Sequence, residues 1–228
     1  MARIRGIILF IQFSITVAIT VVLMYTFRNH THKVIKAWMS FQMFVLGIKL
    51  ETEGNLDESC DMLLINHQSL LDIIVIEYIH SRDLAWVAKK EIADLFFFGH
   101  IIKAPRMISI DRENKAGIIT LLKETKDRLD KGRPIAMFPE GTRSDGKSMG
   151  SFKPGAKMVA NKHNLRVQPI ILFNTRNIVD SKTLKASPGV VKVIYLEPIQ
   201  ASKDTTWFED TEFKMKEVFN KEYKNYVS

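Results

Sequence analysis

FPEGTRSDGKSMG, Phe138 to Gly150, is the stretch on which the fold turns. From Gly141 it reads GTRSDGKS and satisfies the phosphate-loop pattern G-x-x-x-x-G-K-[ST] letter for letter. A working phosphate loop leaves a strand and enters a helix at its Lys-Ser, so that the helix N-terminus faces the phosphates. The strand is present in RPIAMF, Arg133–Phe138. The helix is not. Ser148 is followed by MGSFKPG, where Gly150, Pro154 and Gly155 interrupt helical continuity. Pro139 and Glu140 also stand where the strand should enter the turn. MISIDR, Met107–Arg112, ends an apolar run in Asp111 as a second nucleotide motif would, but such runs are common. The residues around the match therefore argue against a nucleotide-binding phosphate loop.

Around this loop, short apolar runs alternate with amphipathic stretches. DMLLIN (Asp61–Asn66), LAWVAKK (Leu84–Lys90), MISIDR, RPIAMF, LRVQPIILF and GVVKVIYLEPI read as strands. LLDIIVIEYIH, KAGIITLLKETKDRL (Lys115–Leu129), PGAKMVANKHN and the tail TWFEDTEFKMKEVFNKEY read as helices. In the second of these, Ile118, Leu121, Leu122 and Leu129 share one side, and Pro154 suits the first turn of the third. Strand–helix alternation at these lengths predicts an α/β fold: a largely parallel, mixed sheet flanked by helices.

The first 50 residues differ. IILFIQFSITVAITVVLMYTF, Ile7–Phe27, carries no charge and, as a helix, is about 30 Å long, one bilayer core. Arg3 and Arg5 precede it; Arg28, His30, His32 and Lys33 follow. The run is too long for a signal peptide and lacks a small-residue cleavage site. Val34–Leu50 follows with apolar residues near helical spacing and with Lys36 and Lys49 near its ends. The two segments predict an N-terminal hydrophobic helical hairpin over residues 1–50, with the second helix in or near the membrane interface. ETEGNLDES reads as a polar linker into a globular domain over residues 51–228.

The chain of 228 residues is 46% hydrophobic, enough for one sizeable core. Its 33 Lys plus Arg exceed 25 Asp plus Glu, a net charge of +8 that suits an anionic partner. The single cysteine, Cys60, excludes an internal disulfide and a cysteine metal cluster, and reads as a small buried hydrophobe.

INHQSLLD, Ile65–Asp72, holds a histidine and an aspartate five residues apart. On one continuous helix these would not share a face. They meet if His67 lies in the turn before the helix. Ser69 and Asp72 supply that break: Ser-Leu-Leu-Asp is a capping-box-like pattern, which also accounts for Asp72 as a carboxylate at a helix N-terminus.

In order, the chain shows NHQSLLD, AKKE (Ala88–Glu91), SIDR (Ser109–Arg112), FPEGTRS continuing to FKPGA, and VQPI (Val167–Ile170). This series resembles the glycerolipid acyltransferase superfamily, most of all the 1-acyl-sn-glycerol-3-phosphate acyltransferases, over roughly Leu63–Leu172. The resemblance implies transfer of an acyl group from acyl-CoA or acyl carrier protein to the sn-2 hydroxyl of lysophosphatidic acid, forming phosphatidic acid. It implies no cofactor, no metal and no nucleic acid, and work among membrane lipids at the cytoplasmic face of the inner membrane. His67 becomes the general base and Asp72 its partner. Arg143, Glu140, Gly141 and Thr142 of the EGTR motif, with Lys89 and Arg112, become the phosphate and glycerol contacts. A glycerol-3-phosphate or other lysolipid acceptor, and a membrane-bound hydrolase using the same pair on water, stay open as alternatives.

Overall fold

The computed structural model describes residues 2–111 and 115–227, so Arg112 of SIDR lies outside the described residues. Two helices come first, α1 (Ala2–Thr26) and α2 (Thr31–Leu46), joined by a 3-10 turn. Three βα steps follow: β1 (Ile48–Glu53), β2 (Met62–Ile65) and α3 (Leu71–Ile79), then β3 (Ala85–Lys89) with the short α4 (Lys90–Ala93) and α5 (His100–Lys103), then β4 (Ile108–Ile110) and α6 (Lys115–Asp130). The chain continues through β5 (Ile135–Met137), α7 (Pro154–His163), β6 (Arg166–Phe173), α8 (Thr175–Ile178) and a small hairpin, β7 (Val179–Asp180) with β8 (Lys185–Ala186). It closes with β9 (Gly189–Tyr195), β10 (Ile199–Gln200) and α9 (Trp207–Val227).

Within the described residues the main sheet runs β1-β9-β6-β2-β5-β3-β4, with β10 beside β6. From β6 to β4 every neighbouring pair is parallel. Only β9 and β10 pair antiparallel with β6, and β1 then runs parallel to β9. The sheet is thus mixed and largely parallel. β2 reads as a continuous apolar run because both of its faces are covered.

Each face has its own core. Leu64, Ile135, Val167 and Ile171 pack against Leu121 of α6, Val159 of α7 and Phe219 of α9. Leu63, Ala136, Ile170 and Val193 pack against Leu71 and Ile74 of α3, Trp38 and Met39 of α2, and Val21 and Met24 of α1. The N-terminal helices are therefore part of a core rather than an appendage. Ile118, expected on the buried side of α6, is 38% exposed.

Two expectations need correction at the hairpin. The second helix ends at Leu46, where Gly47 takes a left-handed φ of 68° and its N–H caps Met43 and Phe44. The residues read as a polar linker begin as strand: β1 takes Glu51, Thr52 and Glu53 into register with Lys192, Val193 and Ile194. As an edge strand with an exposed flank it carries charge, which hid it from hydropathy. Lys36, on the same helix, is half-buried. Its ammonium donates to the carbonyls of Glu77 and His80, both at 2.5 Å, and so caps the C-terminal end of α3.

Candidate active site

The chain leaves β2 through α3 onto one face of the sheet, and leaves β5 through α7 onto the other. Adjacent parallel strands that send their connections to opposite faces open a crevice at their carboxyl ends. NHQSLLD leaves the carboxyl end of β2, and FPEGTRS leaves that of β5. Lys89 ends β3, and Ser109 and Ile110, the first residues of SIDR, end β4. Motifs scattered over the sequence are thus brought to one edge because their strands are neighbours.

His67 sits in the turn before α3, as the spacing required. Its Nδ1 lies 2.8 Å from Asp72 Oδ2. A carboxylate oxygen accepts, so Nδ1 carries the hydrogen and Nε2 is left as an acceptor. The same Oδ2 accepts the backbone N–H groups of Gln68 at 2.6 Å and Ser69 at 2.8 Å. Asp72 therefore closes the helix start and orients the imidazole at once. The N-cap position itself falls on Leu70, which makes no side-chain cap bond, rather than on Ser69; the Ser69 hydroxyl, one residue earlier, accepts from Leu71 N–H at 3.2 Å and donates to the Val179 carbonyl at 2.6 Å. Asn66 pins the loop to β6 by accepting from Leu172 N–H and donating to Leu172 O, at 2.7 and 2.9 Å.

The FPEGTRS loop holds His67 from the other side. Glu140 Oε1 accepts the His67 backbone N–H at 2.7 Å, and Oε2 accepts Gly150 N–H at 2.5 Å. Ser144 N–H donates to His67 O at 2.8 Å. The Phe138 ring stacks on the imidazole, with centroids 3.8 Å apart and 10° between planes. Glu140 is 3% exposed, and burial pushes its carboxyl up to about 7 against the pull of its two N–H donors. With both oxygens engaged on backbone, Glu140 acts as the clasp between the two loops. A Cβ at position 150 would come within 2.9 Å of Glu140 Oε2, which is why glycine stands there.

The remaining sequence candidates divide. Gly141 turns the loop with φ of 73°. Thr142 and Arg143 are exposed beyond it, and Arg143 Nη1 donates to Ser181 Oγ at 3.1 Å. Lys89 is exposed and pairs with Glu91 at 2.5 Å. The Gly-Lys-Ser segment is a turn, with Asp145 Oδ1 accepting Lys147 N–H at 2.9 Å, and the next helix starts only at Pro154.

Thr175 was not among the sequence candidates. It is fully buried, and its hydroxyl donates to Asp72 Oδ1 at 2.5 Å. The preceding Asn174 takes a left-handed φ of 74° to deliver it. Asp72 Oδ2 faces the imidazole while Thr175 fixes Oδ1. The available signal was positional: Thr175 follows the carboxyl end of β6, another parallel strand beside β2.

Comparison with known proteins gives the family and the fold. Residues 48–172 match the acyltransferase family model. The chain is 37% identical over 214 residues to a 1-acyl-sn-glycerol-3-phosphate acyltransferase of Helicobacter pylori, covering 92% of this chain and 90% of that one. It is 30% identical to the chloroplastic 1-acyl-sn-glycerol-3-phosphate acyltransferase LPAT1 of Arabidopsis thaliana, over 89% of this chain and 61% of the relative. In fold it is similar to the 1-acyl-sn-glycerophosphate acyltransferase PlsC of Thermotoga maritima, with a TM-score of 0.72, 22% identity, and coverage of 100% and 98%.

Proposed function

The chain belongs to the acyltransferase family, and from that membership we propose that it acylates the sn-2 hydroxyl of lysophosphatidic acid to give phosphatidic acid. The observation that carries the reading is the His67–Asp72 pair, 2.8 Å apart, at the carboxyl ends of the parallel strands. The relatives named for this reaction support the choice of acceptor.

An alcohol is a weak nucleophile at neutral pH. His67 Nε2, free as an acceptor, takes the hydroxyl proton as the C–O bond forms at the thioester carbonyl. Asp72 stabilises the imidazolium. When the tetrahedral intermediate collapses, the C–S bond breaks and the same proton passes to the departing thiolate. Arg143 offers a guanidinium for the acceptor phosphate, with Lys89 and Arg112 as further cations and Gly141 and Thr142 shaping the approach. Acyl-CoA and acyl carrier protein are both thioesters that fit this chemistry.

Residues 1–50 serve attachment to the membrane, and the sheet with its other helices serves catalysis. The outward face of α1, with Ile8, Ile11, Ile15 and Ile19 all exposed, meets lipid at the cytoplasmic face of the inner membrane, where acceptor and product reside. Purified protein in detergent is to be given a panel of lysolipid acceptors, glycerol-3-phosphate and water alone, with each thioester donor. Phosphatidic acid formed from lysophosphatidic acid is the expected product. Thioester hydrolysis without acyl transfer, or acylation of glycerol-3-phosphate in preference, would replace this reading.

A further inference from the structure

The segment joining α4 to α5 holds its aromatic side chains out. Phe96 is 97% exposed, and Leu95, Phe97 and Phe98 are exposed beside it. The catalytic geometry uses none of them. Exposed apolar side chains gathered in one place mark a surface that something covers, and here three consecutive phenylalanines are exposed.

Its place in the fold names the cover. Tyr25 near the end of α1 bonds through its hydroxyl to His100 Nδ1 at 2.7 Å. Phe98 lines one apolar crevice with Phe10 and Phe13 of α1. The tip therefore continues the outward face of α1, where Ile11 and Ile15 are also exposed. Lys90 and Lys103 bracket the tip in sequence and line the hollow beside it with Arg106, Arg128 and the carboxylates Asp94, Asp111 and Glu124. Apolar side chains at a tip with lysines behind suit a lipid surface: acyl chains take the rings, and phosphates meet the ammonium groups.

We propose that the Phe96 tip is a second lipid-inserting element, entering the same leaflet as the outer face of α1. It rests on the membrane reading of α1. Two separated insertions fix the tilt of the molecule, where a single helix would leave it free to roll about its axis.

Cys60 gives a clean background for the test: it is the only cysteine, it is fully buried, and burial pushes its thiol up to about 11. The full-length variants Phe96→Cys, Ile15→Cys and Lys203→Cys, each carrying a nitrobenzoxadiazole label, are reconstituted in phosphatidylethanolamine–phosphatidylglycerol vesicles. All three positions are exposed, so the core is untouched. The label at 96 is expected to brighten several-fold over that at 203 and to be quenched by nitroxide-bearing acyl chains, as at 15. A label at 96 as water-like as that at 203, with 15 quenched, overturns the second element alone. Labels at both 15 and 96 in water overturn the membrane reading and this proposal with it. A protein-concentration-dependent signal at 96 that nitroxide lipids leave unquenched would make the tip a contact between copies, which also overturns it.

Discussion

At the scale of single residues, the site is a set of hydrogen bonds that leave one nitrogen free. His67→Ala removes the only imidazole held there, and kcat is expected to fall by about 100- to 10,000-fold with the melting midpoint little changed. Activity within about tenfold of the parent would end the general-base role. Thr175 divides function from packing more finely. Thr175→Val keeps the side-chain shape but takes the donor from Asp72 Oδ1; kcat should fall while KM for both substrates stays, and Thr175→Ser should restore it. Equal losses in Val and Ser would reduce Thr175 to a packing residue. The same accounting bears on the number of chemical steps. A covalent acyl-enzyme needs a nucleophile at the imidazole. Cys60 is buried ahead of β2 with its thiol pushed up to about 11, and the Ser69 hydroxyl is engaged at the helix start and on Val179. Intersecting double-reciprocal lines are expected, and Cys60→Ala should stay active. Radiolabelled acyl group trapped on Ser69 without acceptor would make the mechanism two-step.

At the scale of elements, α2, α3 and β3 are joined by half-buried and buried polar groups that hydropathy does not reveal. Lys36 on α2 caps α3, and Glu77 on α3 accepts the Trp86 indole N–H from β3 at 2.6 Å. Burial of Glu77 pushes its carboxyl up to about 7, with Lys36 and Arg133 pulling the other way and Asp83 adding to the rise. The folded value lies above the unfolded one, so the native state holds the proton more tightly. This contribution is complete below about pH 4.5 and is lost as pH rises through about 7. Against Glu77→Gln, which keeps an acceptor for Trp86 and never charges, the parent's melting midpoint should decline between about pH 5 and 8. Parallel curves would show that Glu77 does not titrate in that window. The sequence displayed most elements because their burial is one- or two-sided in the usual periods: β2, β5 and β6 as apolar runs, α6 and α9 as stripes. It did not display β1, whose edge is charged, nor α4, α5 and the β7–β8 hairpin, which are too short to carry a period. In the site, NHQSLLD and FPEGTRS were legible as local patterns. The clasp through Glu140 and the hydroxyl of Thr175 depend on which strands are neighbours, and no local pattern encodes that.

At the scale of the molecule, composition alone would let α1 cross a bilayer, since 25 residues make a helix of about 37 Å. Its contacts argue for another placement. Near its start, Arg5 Nη2 donates to Leu46 O at 2.9 Å. At Gly6 the helix lies so close to the β7–β8 hairpin that an added Cβ would meet Leu184 O at 2.0 Å. In the middle, Thr16 receives the Trp38 and Gln42 donors of α2 at 3.1 and 2.9 Å. Near its end, Tyr25 reaches His100. A helix tied to one domain at both ends and the middle lies along that domain; on the membrane attachment proposed above, its outward face would enter one leaflet rather than cross. The exposed ends should then share one side of the membrane. In sealed vesicles, Arg3→Cys and Asn29→Cys are each expected to react with a membrane-impermeant maleimide added from the side on which the catalytic domain lies, with Cys60 silent. Protection of one of the two until detergent is added would mean that α1 crosses, and that its ties to the domain give way in lipid. Gly6→Leu, which forces the helix off Leu184, should loosen this arrangement: lower vesicle retention and a lower melting midpoint together, because the side chains that α1 buries belong to the same core as α3 and the sheet.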